Sequence, residues 1–231
     1  MKPLRRHQLT WLDEYAWFRV LTRAWASNEQ PQGQAPYAID CLDHWAQRRW
    51  PLVVTRQVAE PIVNQADGFL ALGLPAPARW HHRPIGICAS VHGVMKQGEF
   101  PLAVDLGAML PAPARAGWEA LCDRLARLGV VARVYGSYGW QQLTGLDYVH
   151  PGSDIDVLLD VTTPAQADRA CALLAADSGP VRIDGELAFE DGASVAWREW
   201  LRFRSGESAH ILVKRLNGAT LEDATTWAAI A

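Results

Sequence analysis

Two aspartates one residue apart, Asp154 and Asp156, sit in the run Ser153-Asp154-Ile155-Asp156-Val157-Leu158-Leu159-Asp160. Val157-Leu158-Leu159 reads as a buried strand, and alternation along a strand puts Asp154 and Asp156 on the same face. Same-face neighbours on a strand are roughly 6.6 Å apart, so the two carboxylates repel unless a cation lies between their oxygens. Hard oxygen ligands of this kind suit Mg²⁺ or Mn²⁺. Upstream, Val134-Tyr135-Gly136-Ser137 is an apolar run ending in a Gly-Ser turn. Backbone N–H groups at such a turn, opening a helix, bind phosphate well. A phosphate cradle beside cation-holding carboxylates points to phosphoryl or nucleotidyl transfer.

That chemistry usually needs a third acid, to hold a second metal ion and orient the attacking hydroxyl. The alternating segment that begins at Val181 offers Asp184 and Glu186 on one face with Arg182. Asp184 is the first choice and Glu186 the second. The metal-site set is therefore Asp154, Asp156 and Asp184, with Gly136 and Ser137 on the phosphates. Lys214, Arg202 and Arg182 are candidates to neutralise the leaving group. Arg56, at the end of a strand, and Arg83, in a basic stretch beside Trp80, are candidate phosphate ligands.

The elements that must position these groups follow from pattern. Apolar side chains make a helical stripe over residues 8–26, and Gln, Pro and Gly make a loop over 28–36. Residues 44–50 close a short helix before Pro51, and 51–56 read as a strand. Close-spaced Gly and Pro make 67–78 an irregular connection. Pro111-Ala112-Pro113 marks a boundary between an N-terminal domain, 1–112, and a catalytic domain, 113–231. Trp118, Leu121, Cys122, Leu125 and Leu128 form an amphipathic helix stopped by Gly129. Thr163 and Pro164 open another helix as N-cap and first residue. A hairpin turns at 190–193, a strand covers 210–214 and a terminal helix covers 221–228. The fold class is α+β: a C-terminal mixed sheet with helices on one face, preceded by a smaller α/β domain.

Bulk properties bound the partners. The chain has 231 residues, 20% of them charged, and a net charge of −3, which speaks against nucleic acid as a partner. Four cysteines without C-x-x-C spacing fit a reduced, cytoplasmic setting. No signal-type segment and no run of eighteen apolar residues occurs, so no membrane is expected.

The string G-S-Y-G-W-Q-Q-L-T-G-L followed by S-D-I-D-V-L-L resembles the nucleotidyltransferase superfamily of polymerase β type. Its long gap between Ser137 and Asp154 is similar to one branch, malonate decarboxylase holo-[acyl-carrier-protein] synthase, or phosphoribosyl-dephospho-CoA transferase. The start of the chain, Arg6-His7-Gln8-Leu9, lacks the acidic residue that relatives carry there, so that position is given no role. The resemblance implies transfer of phosphoribosyl-dephospho-CoA from 2′-(5″-triphosphoribosyl)-3′-dephospho-CoA to a serine of the apo acyl carrier protein of malonate decarboxylase, with loss of pyrophosphate. It also implies that the N-terminal region, through Arg56 and Arg83, grips the donor or the carrier. The rival readings are a nucleotidyltransferase using a nucleoside triphosphate on a small molecule, and a non-catalytic nucleotide-sensing module. The intact Asp-Ile-Asp argues against the latter.

Overall fold

The computed structural model describes residues 4–28, 36–57 and 68–224. The chain forms two compact units, Met1–Glu99 and Phe100–Ala231. The division falls ahead of the proline-rich stretch expected to mark it. The reason lies in packing: Ala103, Leu106 and Leu110 are buried in the same core as Trp118 and Leu125. Trp118 Nε1 donates to the Ala103 carbonyl at 2.8 Å, and Val134 N donates to the Pro101 carbonyl at 2.9 Å.

The N-terminal unit contains β1 (Leu9–Leu12), α1 (Glu14–Asn28), α2 (Pro36–Arg48), β2 (Leu52–Val54), β3 (Phe69–Pro75), β4 (Pro84–Ser90) and β5 (Val94–Gly98). Its sheet runs β4-β3-β2-β1-β5, its pairings among the described residues are antiparallel, and with α1 and α2 it makes the smaller N-terminal domain of helices and strands that was expected. The helix expected over 8–26 begins instead at Glu14, because Asp13 ends β1 and its Oδ1 accepts the Ala16 N–H at 2.7 Å. The stretch expected to be irregular, 67–78, contains β3, paired along its whole length with β4. Gly73 sits in this strand because a Cβ there would lie 2.8 Å from Thr55 Cγ2. The loop expected over 28–36 falls almost wholly outside the described residues.

The C-terminal unit contains α3 (Ala112–Arg127), β6 (Val131–Tyr135), α4 (Gly136–Thr144), β7 (Ile155–Val161), α5 (Pro164–Ala175), β8 (Ile183–Phe189), β9 (Ser194–Ala196), α6 (Trp197–Arg204), β10 (His210–Arg215) and β11 (Gly218–Asp223). The sheet order is β11-β10-β9-β8-β7-β6. Among the described residues only β7 and β8 pair in parallel, and α5 makes the crossover between them. The Thr163 side chain caps α5 by accepting the Gln166 N–H, with Pro164 at its start, as the sequence predicts. The terminal helix expected from residue 221 is corrected: residues up to Asp223 belong to β11, paired with β10, and residues 225–228 lie outside the described part. Trp197 opens α6 and is buried in the core of this unit.

The two faces of this sheet differ. Ile155, Val157, Leu159 and Val161 of β7, with Ile183, Leu187 and Phe189 of β8, join side chains of α3, α5 and α6 in one core. Burying each such aliphatic side chain stabilises the fold by about 1.5–3 kcal/mol. The alternate positions, Asp156, Asp184 and Glu186, therefore point to the opposite face.

Candidate active site

Strand β6 carries the chain to the Gly-Ser turn, and α4 begins there with no side chain capping its N-terminus. The first N–H groups of a helix have no intrahelical acceptor, so Ser137 stands among donors open to an anion. Gly136 has φ +58°, and a Cβ on it would come within 2.8 Å of Asp156 Cγ. Gly139 is held as closely from behind: its Cβ position is 2.9 Å from the Val134 carbonyl carbon. These two glycines let the turn fold back on β6 and lie against the Asp156 carboxylate.

Register brings the acids together. Tyr135 pairs with Asp156 across β6 and β7, and Asp156 pairs with Asp184 across the parallel β7 and β8. Paired positions share a face, so Asp156 and Asp184 are side-by-side neighbours. Gly185, with φ +135°, permits the close approach, since a Cβ there would be 2.6 Å from Val157 N. Asp154 lies just before β7, after a turn in which Ser153 N donates to the His150 carbonyl at 2.8 Å. One guanidinium nitrogen of Arg182 reaches Asp154 Oδ2 at 3.0 Å and Asp184 Oδ2 at 3.1 Å. Asp154 and Asp184 remain about one-third exposed, 32% and 35%, so a ligand can reach them. Among the described residues no three His, Cys, Asp or Glu side chains are grouped closely enough to hold a metal ion as they stand. The Arg182 nitrogen is the cation the two carboxylates share.

Glu186 has a different fate. Its side chain is 7% exposed, and its Oε1 accepts from Lys214 Nζ at 2.7 Å. Register runs Glu186–Ala196 and Lys214–Ser194, which puts the pair on the acid-bearing face but farther along the sheet. Lys214 is thus the counter-ion of Glu186. Arg202 is exposed on α6 and makes no contact with the three aspartates. Arg56 and Arg83 belong to the N-terminal unit. Arg56 follows β2 beside Ala71, which accepts the Thr55 N–H at 3.2 Å, while the Arg83 carbonyl accepts from Ala76 N at 3.4 Å. Ala76 lies five residue steps along the chain from Ala71, or about 17 Å, so these arginines stand toward opposite ends of β3. The Arg83 guanidinium lies 5.7 Å from the Tyr37 ring centre.

Sequence reasoning missed two positioning groups. Arg198, on α6, donates to the Ile183 carbonyl at 2.9 Å and lies 4.0 Å from Asp184 Oδ1. Gln141 Oε1 accepts from Tyr148 N at 3.0 Å and Val149 N at 2.9 Å, fastening the segment after α4 back onto that helix. Trp140 stacks on Tyr148 at 6.4 Å in the same segment. The repeated polar-aromatic run between Ser137 and Asp154 was the available signal for Gln141. For Arg198 only its place beside the Trp197 helix start would have served.

Residues 5–100 match the family described as phosphoribosyl-dephospho-CoA transferase MdcG, N-terminal domain, and residues 101–225 match its C-terminal domain. The chain is 35% identical over 229 residues to a phosphoribosyl-dephospho-CoA transferase of Bradyrhizobium diazoefficiens, covering 96% of this chain and 91% of that protein. It is 32% identical to the enzyme of the same name from Xanthomonas campestris pv. campestris, covering 94% and 92%. It is 35% identical to that of Xanthomonas axonopodis pv. citri, covering 90% and 89%. No solved structure matches the chain.

Proposed function

The chain belongs to the phosphoribosyl-dephospho-CoA transferase family, and we propose the particular reaction it performs. The donor is 2′-(5″-triphosphoribosyl)-3′-dephospho-CoA, and the acceptor is a serine of the apo acyl carrier protein of malonate decarboxylase. The fold of the C-terminal unit is of the polymerase β nucleotidyltransferase type, and the enzyme works in the cytoplasm. One observation carries the reading: the Gly136 bend lies against Asp156, and Asp156 is paired in register with Asp184.

The donor set fits a divalent cation, Mg²⁺ or Mn²⁺, because three carboxylates supply only hard oxygens. Two of them already share a positively charged nitrogen. Asp154, Asp156 and Asp184 would hold the ion. When bound, it supplies Lewis-acid neutralisation of phosphoryl oxygens and lowers the pKa of a nearby hydroxyl. Asp184 is assigned the third position because Glu186 is occupied by Lys214.

The protein groups divide the remaining work. The open N–H groups of α4 and the Ser137 hydroxyl bind the outer phosphates of the donor. Arg182 leaves Asp154 and Asp184 and turns to the polyphosphate. Asp184 orients the serine hydroxyl for in-line attack on the α-phosphorus and draws off its proton. The serine Oγ–P bond forms, the bond from the α-phosphorus to its bridging oxygen breaks, and pyrophosphate departs. Intact-mass measurement tests the assignment: apo carrier protein, incubated with donor, Mg²⁺ and enzyme, gains the mass of one phosphoribosyl-dephospho-CoA group. An unmodified carrier, with the triphosphate consumed on another acceptor, would overturn it.

A further inference from the structure

Beside the acids, the C-terminal unit carries a groove of about 850 Å³, bounded by the end of α5, the loop that follows it, the start of β8, and α6. That is the size range of sites for small organic ligands. Arg182, Arg198 and Arg202 all line it, against one carboxylate, Asp177. Asp177 Oδ2 is already engaged, accepting from Gly179 N at 3.1 Å. The Arg202 guanidinium is exposed and has no hydrogen bond or ion pair among the described residues. Arg198 lies over the Trp197 ring at 4.2 Å, and Trp197 Nε1 is a buried donor without an acceptor among the described residues. Trp197 and Leu201 give the wall its apolar part.

Planar guanidinium groups converging on one hollow match a phosphate or diphosphate, which each can grip through two N–H groups. The groove also meets the acids: Arg182 lines it while reaching Asp154 and Asp184. We propose that this groove holds the diphosphate and adjoining pantetheine arm of the CoA-derived donor, while the triphosphate end lies at Gly136, Ser137 and the aspartates. The inference rests on the donor identified above. Its charge is concentrated in a concave hollow rather than spread over a broad rim, which suits a small polyanion better than an acidic protein surface.

The test is calorimetric binding of 3′-dephospho-CoA, which has the diphosphate and pantetheine but no triphosphoribosyl group, to the full-length chain without added metal. Wild type and Asp156→Asn bind it alike, Arg202→Ala weakens binding about tenfold, and Arg202→Lys restores part of it. Thermal melting confirms that Arg202→Ala is folded. Binding of 3′-dephospho-CoA unchanged within about twofold in both Arg202→Ala and Arg198→Ala overturns the inference. So does an effect of Arg202→Ala confined to the KM for an acidic carrier protein, which makes the groove a protein dock. If the carrier is never modified but Arg202→Ala still loses 3′-dephospho-CoA, the groove stands and the transfer assignment falls.

Discussion

The Asp156 carboxyl group fills the space that a side chain at Gly136 would need, its Cγ standing 2.8 Å from the Cβ position. Gly136 is also in the left-handed region, at φ +58°. Gly136→Ala therefore combines backbone strain with a steric conflict, and should cost about 1–3 kcal/mol of stability together with most of the transfer activity. In an Asp156→Ala background part of that stability loss should disappear, because the obstructing carboxylate is gone. Denaturant melts of both singles and the double measure the coupling. Strict additivity would show that the bend and the carboxylate do not touch.

Asp154→Asn and Asp156→Asn keep the shape of each side chain and remove its charge. Both are partly exposed, so thermal midpoints should stay within a few degrees of wild type. Carrier modification should fall by at least about a thousandfold if charge neutralisation at phosphorus is their role. Quantitative mass spectrometry of the carrier reads the rate.

Arg182 occupies Asp154 and Asp184, so the divalent cation proposed for that site would have to compete with it. Its guanidinium is 61% exposed, so each ion pair is worth only about 0–1 kcal/mol. Arg182→Gln should accordingly tighten Mn²⁺ binding a few-fold (about threefold to fivefold), read as loss of the free-ion electron paramagnetic resonance signal. Weaker Mn²⁺ binding in this variant would mean that Arg182 does not block the site.

Glu186 and Lys214 answer to a different test. Removing one partner leaves a charge in a pocket where the Glu186 side chain is 7% exposed. Lys214→Met should destabilise by about 1–3 kcal/mol, below the loss for a fully buried pair because Lys214 is 32% exposed. Glu186→Leu combined with Lys214→Met should recover part of that loss. A Glu186→Gln enzyme that folds normally but is dead would instead move Glu186 into the catalytic set.

The thiols separate by burial. Burial pushes Cys41 and Cys171 up to about 12 and Cys122 up to about 11, neighbouring carboxylates adding to the effect. Cys88 is the exposed one. Iodoacetamide at pH 8 should add one group to the native protein and four after denaturation. The linkage has a definite sign: the folded values lie above the ordinary 9.0. The stability held by these thiols is complete below pH 9, falls as pH rises from there, and is gone above about 12.

Much of this was legible in the sequence where periodicity and chemistry coincide. Gly136, Ser137, Asp154 and Asp156 announce themselves by type and order, and Thr163-Pro164 by helix-start chemistry. Strand β1 was hidden because Leu9 and Leu12 also suit a helical stripe, while Gln8 and Thr10 are buried polar residues. Strand β3 was hidden because Gly73 and Pro75 look like loop residues until Thr55 and the strand end explain them. Strand β11 is mostly exposed at a sheet edge, so it lacks the alternation that marks a half-buried strand. The Arg182 bridge depends on which strands pair and in which direction, and no local pattern encodes that.

The parallel pairing of β7 with β8 joins acids that are far apart along the chain. A ribosome that has released the polypeptide only through α5 has delivered Asp154 and Asp156 but neither Arg182 nor Asp184. The ion-pair bridge from Asp154 through Arg182 to Asp184 therefore cannot form on the nascent protein until β8 has emerged and paired beside β7.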